Sequence, residues 1–291
     1  MTDDGRPKRL ALVIHPTRDL DTALGMLREW APSHGVELVQ LPGDDAERPD
    51  VAPQATLENG DLVVAVGGDG TVLSALRAAA TARAPVLGVA CGSLGALTAV
   101  SVSELDDALE HVRDGSWQPR ALPALAIHSA DGEVDWALND FVVLRRGAGQ
   151  VIVEVAVEDE LYVRLAGDGL IVATPAGSSG YSMAAGGPLL AADTPAFACT
   201  PIAMHGGAAA PLVVRADATV SVEVHPTFGG FEIEIDGHRR PLPGSSFRLT
   251  FEEDRVDLVT FSPSDQGLRR LRERGLIADS PRVLARDRRD S

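Results

Sequence analysis

The sequence predicts a two-domain protein, with an α/β N-terminal domain, doubly wound around a mostly parallel sheet, followed by a β-rich C-terminal domain. Three observations carry this prediction. The 291 residues exceed one typical compact domain. Apolar runs of strand length alternate with helical stretches in residues 1–116, and short β-branched runs separated by turn residues fill 117–266. Residues 267–291 form an Arg-rich tail.

The N-terminal domain is predicted to alternate strands and helices. Strands are expected at 10–15, 36–41, 61–66 and 85–89, and helices at 20–30, 71–82 and 103–112. The run from Asp61 to Val66 is apolar after its first residue, which is typical of a strand buried on both faces of a parallel sheet. This order indicates a doubly wound domain.

The C-terminal domain is predicted from short segments that are rich in β-branched residues. Strands are expected at 122–129, 134–144, 151–157, 162–165, 170–173, 213–214, 220–224, 231–235, 247–251 and 256–261. One helix is expected to start near Ser182. The first part of the tail is expected to form a helix that packs back on the body, and the last ten residues to be solvated or disordered.

Composition excludes several classes of protein. No run of about 18 apolar residues is present to span a bilayer, and the N-terminus lacks the apolar stretch of a signal peptide. A soluble cytoplasmic protein without a membrane partner is therefore expected. The net charge of −16 argues against a nucleic-acid partner. Cys91 and Cys199 lie among small apolar residues and are expected to be buried thiols.

The basic residues restrict how phosphate could be bound. Lys8 is the only lysine, and the P-loop pattern that ends in Gly-Lys-Ser/Thr is absent. Nucleotide phosphates therefore have to be held by backbone amides, arginine and metal. The sequence has no His/Cys cluster, so a metal site built from protein ligands alone is not expected.

A glycine-rich turn, Gly67-Gly68-Asp69-Gly70-Thr71, joins a predicted buried strand to a predicted helix. Glycines there let the backbone approach a ligand closely, and the helix N-terminus suits phosphate. The carboxylate of Asp69 is placed to accept a proton from an attacking hydroxyl, to hold magnesium, or to do both. The structural alternative is a turn in which Asp69 caps the helix.

A second glycine-rich constellation runs from Gly167 to Pro188. Asp168 lies on a tight turn where it can meet a ribose hydroxyl, Ser178 and Ser179 offer small hydroxyls, and Tyr181 offers an aromatic face with a polar tip. The structural alternatives are helix caps for the serines and a core aromatic for Tyr181.

Together the two constellations resemble the NAD kinase family. The first string also occurs in diacylglycerol- and sphingosine-type lipid kinases, but the second separates the two groups. Further matches follow in family order: the strand-turn at 85–98 with Gly92, the pair Asn139-Asp140, the segment 200–205 ending in His205, and the turn Asp236-Gly237.

The resemblance implies ATP-dependent phosphorylation of the 2′-hydroxyl of the adenosine ribose of NAD, which gives NADP. Asp69 would be the catalytic base, and magnesium would come with ATP. Phosphate and nucleotide contacts would come from Gly67, Gly68, Gly70, Thr71 and Gly92, and acceptor contacts from Asn139, Asp140, Asp168, Ser178, Ser179, Tyr181 and His205. A single histidine such as His205 is also typical of a hydrogen-bonded structural residue. The family resemblance suggests a homodimer or homotetramer.

The sequence departs from the family pattern on the acceptor side. Ala90 replaces the family's Asn, Ala96 its Phe, Ala166 a basic residue, and Asp140 its Glu. Each buried polar group left unpaired costs about 1–3 kcal/mol, so such changes affect recognition strongly. Two alternatives therefore stand beside an NAD kinase: a kinase for another hydroxyl acceptor, such as a nucleoside, inositol or sugar, and a catalytically silent nucleotide sensor.

Overall fold

The computed structural model describes residues 6–43, 49–261, 271–272 and 275–290. It divides into two compact units: a first unit of Met1–Arg120 with Leu258–Ser291, and a second unit of Ala121–Asp257. Leu258, in the last strand of the chain, pairs in parallel with Val86 of the first unit. The separate Arg-rich tail from residue 267 stays a prediction.

The first unit is built on a parallel sheet. Its strands are β1 (Arg9–Ile14), β2 (Glu37–Gln40), β3 (Asp61–Gly67), β4 (Val86–Ala90) and β5 (Val100–Ser101). They lie in the order β2-β1-β3-β4-β5, and all are parallel. Every residue of β3 is buried, as its apolar run predicts.

Helices cover both faces of this sheet. They are α1 (Asp21–Ser33), α2 (Asp69–Ala79) and α3 (Leu105–Arg113). α1 and α3 share a core cluster that includes Leu87 and Val89 of β4. α2 lies on the opposite face, where Val72 packs against Gly88 between those two residues. The predicted doubly wound arrangement is confirmed.

The second unit consists of antiparallel strands. They are β6 (Gln118–Ser129), β7 (Val134–Ala137), β8 (Asp140–Arg145), β9 (Val151–Val157), β10 (Glu160–Gly167), β11 (Gly169–Ala173), β12 (Ala196–Ile202), β13 (Leu212–Arg215), β14 (Val220–Pro226), β15 (Phe231–Ile235), β16 (His238–Arg239) and β17 (Ser246–Thr260). One layer has the order β10-β9-β14-β17, with β6 beside β17 and β7 beside β6; the other has the order β13-β12-β11-β8-β15-β16. One core cluster draws on both layers, and its largest fully buried side chains are Phe141, Phe197 and Phe247.

The single strand predicted at 134–144 is wrong. The structure has two strands there, β7 and β8, because the carboxylate of Asp236 accepts the backbone N–H groups of Leu138, Asn139 and Asp140. These amides are therefore diverted from a continuous strand, and Asn139 lies in the break. This break positions two of the predicted site residues.

Two further features of the second unit differ from the prediction. The strands predicted at 247–251 and 256–261 are one long strand, β17, because no turn residue interrupts the run. β12 was not predicted, although it is a central strand of its sheet. The helix expected near Ser182 is present as a short helix, Tyr181–Ala184.

The C-terminal segment was predicted to be solvated or disordered, and it is an ordered helix whose first residues are exposed to solvent. Pro281–Asp290 form a helix, and residues 281–284 are exposed. Pro281 stands at its first position, where proline lacks an N–H that would be unpaired anyway. The helix predicted for the first part of the tail falls on residues 267–270 and beyond, most of which lie outside the described residues.

Both cysteines are free thiols. Cys199 is fully buried, which raises its pKa to about 12, and Cys91 is half-buried. Within the described part of the chain, no helix combines the length and the apolar character that crossing a bilayer requires.

Candidate functional site

The glycine-rich turn of the first unit joins β3 to α2. The helix begins at Asp69, two residues earlier than predicted, with Gly68 as its N-cap. A Cβ on Gly67 would overlap the side chain of Thr71, so a glycine is required for this close approach. The carbonyl of Gly68 accepts the N–H groups of Thr71 and Val72, at 2.9 and 3.1 Å.

This arrangement leaves donors at the N-terminus of α2. Among the described residues, the backbone N–H groups of Gly68 and Gly70 have no acceptor. The positive end of the helix dipole lies at the same place. Open amides at a helix N-terminus are the arrangement that binds phosphate oxygens.

Asp69 does not cap its own helix. The N-terminus of α2 has no side-chain cap; instead, the two carboxylate oxygens of Asp69 accept the N–H groups of Ala96 and Leu97, at 2.9 and 3.0 Å. A Cβ on Gly95 would overlap this carboxylate, so Gly95 must be a glycine. The structural alternative of a helix cap is thus excluded. Asp69 is a half-buried carboxylate whose direction these two amides fix.

Arg18 also lies at this turn, and the sequence analysis missed it. Its Nη1 donates to the carbonyl of Cys91 at 2.7 Å, and its guanidinium lies against Gly68 and Gly92. Gly92 has a φ of +125°, which favours glycine. A signal was available: Arg18 follows β1, and the carboxyl ends of parallel strands meet at one edge of a sheet.

In the second unit, Asp140 has a buried carboxyl group. The residue is 7 % exposed, and its carboxyl accepts no hydrogen bond among the described residues. Burial, together with the charges of Asp236 and Glu234, raises the pKa of this carboxyl to about 7. An unpartnered buried carboxyl is costly for folding, so its presence indicates a role in binding.

Asn139 is held by its main chain beside Asp140. Its N–H donates to Asp236 at 2.6 Å, and its carbonyl accepts the N–H of Thr174 at 2.9 Å. Thr174 is fully buried and donates its hydroxyl to the carbonyl of Leu138 at 2.5 Å. Asp236 and Thr174 were not predicted as site residues, although the turn Asp236-Gly237 was singled out as a motif.

Asp168 forms an ion pair with Arg145. Nε of Arg145 lies 2.5 Å from Oδ1 of Asp168, and the N–H of Arg145 donates to the carbonyl of Asp168 at 2.8 Å. Both side chains are about one-third exposed, at 37 and 35 %. Asp168 is thus oriented by an arginine that the sequence analysis did not single out.

Tyr181 lies close to the carboxylates of the second unit. Partial burial raises the pKa of its phenol, as do the charges of Glu234, Asp168 and Asp140 in that order. The side chain is 41 % exposed, so it is not the core aromatic of the structural alternative. The charge of Glu234 raises the pKa of both Tyr181 and Asp140, and Glu234 was not among the predicted site residues.

The prediction for Ser178 is corrected. Its hydroxyl is fully buried, donates to the carbonyl of Pro175 at 2.7 Å and accepts the N–H of Leu190 at 3.0 Å. Ser178 therefore fixes the loop and has no hydroxyl exposed to a ligand. Ser179 is half-buried, and its hydroxyl has no partner among the described residues.

His205 lies on an exposed loop. Its N–H donates to the carbonyl of Ala166 at 2.8 Å, and its Nδ1 lies 3.2 Å from Oε1 of Gln150. These contacts match the hydrogen-bonded structural residue that the sequence analysis left open. Because the ring of His205 is exposed, its contact with the acceptor stays a prediction.

The structure thus forms two local constellations. The first unit brings together the glycine turn, Asp69, Gly92 and Arg18, and the second unit brings together Asp140, Asp168, Glu234 and Tyr181. In neither, nor elsewhere in the described ranges, do three His, Cys, Asp or Glu side chains gather to hold a metal ion.

Family models match most of the chain. The ATP-NAD kinase N-terminal domain matches residues 34–117, and the ATP-NAD kinase C-terminal domain matches residues 138–251. An NAD kinase of Geotalea daltonii is 34% identical over 197 residues, which are 66% of this chain and 68% of that protein. An NAD kinase of Prosthecochloris aestuarii is 31% identical over 263 residues, which are 86% of this chain and 91% of that protein.

Two solved structures have a similar fold. Yeast NADH kinase, in complex with NADH, has a TM-score of 0.79 at 20% identity and covers 94% of this chain and 89% of its own. An NAD kinase from Archaeoglobus fulgidus, in complex with ATP, has a TM-score of 0.70 at 25% identity and covers 93% of this chain and 100% of its own.

Proposed function

The chain belongs to the ATP-NAD kinase family, and on this premise we propose that it transfers the terminal phosphoryl group of ATP to the 2′-hydroxyl of the adenosine ribose of NAD. The products are NADP and ADP. The observation that carries the proposal is the turn of the first unit, where open amides of Gly68 and Gly70 lie beside the fixed carboxylate of Asp69.

On the donor side, the N-terminus of α2 binds phosphate oxygens through backbone amides. Asp69 accepts the proton of the attacking hydroxyl, whose oxygen forms a bond to the terminal phosphorus while the bond to the ADP oxygen breaks. Magnesium bound to ATP would neutralise phosphate charge, and Asp69 is the carboxylate placed to hold it. The two amide bonds to Asp69 fix its direction, so little reorganisation is needed during transfer.

On the acceptor side, Asp140, Asp168, Asn139 and Tyr181 bind the riboses and bases of NAD. The unpartnered carboxyl of Asp140 accepts hydrogen bonds from ribose hydroxyls and so gains in the complex the partners that it lacks alone. The aromatic face of Tyr181 packs against a base or sugar.

The family resemblance also supports three finer proposals: magnesium with ATP, a homodimer or homotetramer, and a cytoplasmic location. The lack of a three-ligand protein cluster among the described residues is compatible with a metal that arrives on ATP. Light scattering of the full chain tests the oligomer, and loss of turnover with a chelator tests the metal.

A second candidate is a kinase that uses another hydroxyl acceptor. Ala90, where the family has Asn, is 1 % exposed at the end of β4, so this position offers neither a hydrogen bond nor space for a ligand. An acceptor smaller than NAD would not need that contact.

One assay decides between the candidates. ADP release and NADP formation are measured with NAD, NADH, nucleosides, inositols and sugars, for the wild type and for Asp69→Asn. We expect NADP formation from NAD by the wild type and loss of turnover, with NAD binding nearly intact, in Asp69→Asn. Turnover on another alcohol but not on NAD would establish the second candidate, and nucleotide binding without ADP release would indicate a sensor.

A further inference from the structure

We infer that Arg18 is the side-chain cation that binds the phosphates of the donor nucleotide. The inference rests on the donor side of the proposed function and adds a residue that none of the sequence motifs includes. It concerns the first unit alone, because Arg18, the glycine turn and Gly92 all belong to it.

The guanidinium of Arg18 lies at the glycine turn. A Cβ on Gly68 would lie 3.6 Å from Nη1 and 3.7 Å from Nη2 of Arg18, and a Cβ on Gly92 would lie 3.5 Å from Nη1. The guanidinium therefore lies directly beside the N-cap of α2, where the amides of Gly68 and Gly70 are open. A phosphate bound to those amides meets this cation.

The positive charge of Arg18 is not neutralised by a neighbouring carboxylate of the described ranges. Arg18 is exposed, and no carboxylate within the described ranges lies at salt-bridge distance from it. Its hydrogen bond through Nη1 goes to a neutral acceptor, the carbonyl of Cys91. The adjacent Asp19 instead accepts the N–H of Asp21. A guanidinium has five donors, so several remain for phosphate oxygens.

The loop that carries Arg18 is held in place by hydrogen bonds. Nδ1 of His15 accepts the N–H groups of Thr17 and Arg18, each at 3.2 Å. The N–H of His15 donates to the carbonyl of Val66, one residue before the glycine turn. The backbone of Arg18 is thus tied to the strand that ends in the phosphate site.

No lysine is placed to bind phosphate at the glycine turn. The single lysine, Lys8, precedes β1, and its N–H donates to the carbonyl of Gly60 before β3, so it lies at the opposite edge of the sheet. The chain has no P-loop lysine. Arg18 therefore takes the place of a lysine at the carboxyl edge, with the planar geometry that suits phosphate.

The test uses the full chain and measures binding directly. Mg-ATP, inorganic tripolyphosphate and NAD are titrated separately into the wild type, Arg18→Gln and Arg18→Lys. Arg28→Gln is the matched control, because Arg28 is also exposed, belongs to the first unit and donates one hydrogen bond to a backbone carbonyl, that of Val51. It removes the same charge away from the glycine turn.

We expect Arg18→Gln to weaken Mg-ATP and tripolyphosphate binding by about 10- to 100-fold, with NAD binding unchanged. Arg18→Lys restores part of the loss, and Arg28→Gln behaves as the wild type. In steady-state kinetics, the KM for ATP rises and the KM for NAD does not.

Two results would overturn the inference. One is an ATP affinity of Arg18→Gln equal to that of Arg28→Gln. The other is an equal weakening of ATP and NAD binding together with a lower melting temperature, which would show that Arg18 only supports the carbonyl of Cys91. A wild type that binds ATP but forms no NADP would refute the proposed acceptor and leave the binding test of Arg18 decisive.

Discussion

Replacing Asp140 by Asn is expected to make the protein more stable at pH 8 while it removes affinity for the acceptor. The carboxyl of Asp140 has a pKa of about 7 instead of 3.8, because it is buried and lies near Asp236 and Glu234. Each tenfold change in proton affinity corresponds to about 1.4 kcal/mol, so ionising this group costs the folded state about 4 kcal/mol.

The sign follows from proton binding. Between about pH 4 and pH 7, the folded state holds the Asp140 proton and the unfolded state does not, so the free energy of unfolding falls as the pH rises. The neutral Asn does not titrate. The stability of Asp140→Asn relative to the wild type is therefore expected to increase by about 2–3 kcal/mol from pH 5 to pH 8. A fixed offset from the buried carboxamide cancels in this comparison.

Urea unfolding of both proteins at pH 5, 6, 7 and 8 measures this increase. Asp254→Asn is the control, since Asp254 is an exposed carboxylate of the same unit. Acceptor titration at pH 8 is expected to show the opposite trend, with Asp140→Asn binding NAD more weakly. If the stability of Asp140→Asn relative to the wild type stays constant from pH 5 to pH 8, the carboxyl of Asp140 is not buried with a raised pKa.

Three other substitutions test the geometry of the two constellations. Gly95→Ala places a Cβ against the carboxylate of Asp69. We therefore expect kcat to fall at least tenfold, which raises the activation free energy by ~1.4 kcal/mol, with ATP affinity nearly unchanged. An unchanged kcat would argue against Asp69 as the base. Arg145→Gln frees Asp168 from its ion pair, and we expect the KM for NAD to rise several-fold while the KM for ATP stays constant. The loss of stability is expected to be less than about 1 kcal/mol, because the ion pair is part-exposed. A change in the KM for ATP alone would contradict this. Thr174→Val leaves the buried carbonyl of Leu138 without its hydroxyl partner, and chemical denaturation is expected to show a loss of about 1–3 kcal/mol, whereas a neutral effect would show that this hydrogen bond is dispensable.

Local sequence patterns predicted the fold well. The apolar run at β3 and the glycines that follow it identify a buried strand and the turn into α2, because both depend on neighbours within a few residues. The alternation along β9 and β15 likewise gave their observed bounds, Val151–Val157 and Phe231–Ile235.

Features that depend on distant contacts escaped the sequence analysis. Asp236 divides a predicted strand about a hundred residues earlier, since its carboxylate captures three amides there. Arg18 reaches the glycine turn only because two parallel strands end at one edge. Ser178 has the residue type of a ligand contact, but the fold has already used its hydroxyl.

The anchoring of Asp69 through main-chain amides has an evolutionary consequence. The amides of Ala96 and Leu97 would hold the carboxylate in the same way whatever side chains those positions carried. Mutations can therefore accumulate at 96 and 97 without displacing this carboxylate, provided that Gly95 is kept. The replacement of the family's aromatic residue by Ala96 is a change of this kind. A protein that holds this carboxylate by main-chain amides can change its acceptor specificity by substitution and keep the geometry that we propose for phosphoryl transfer.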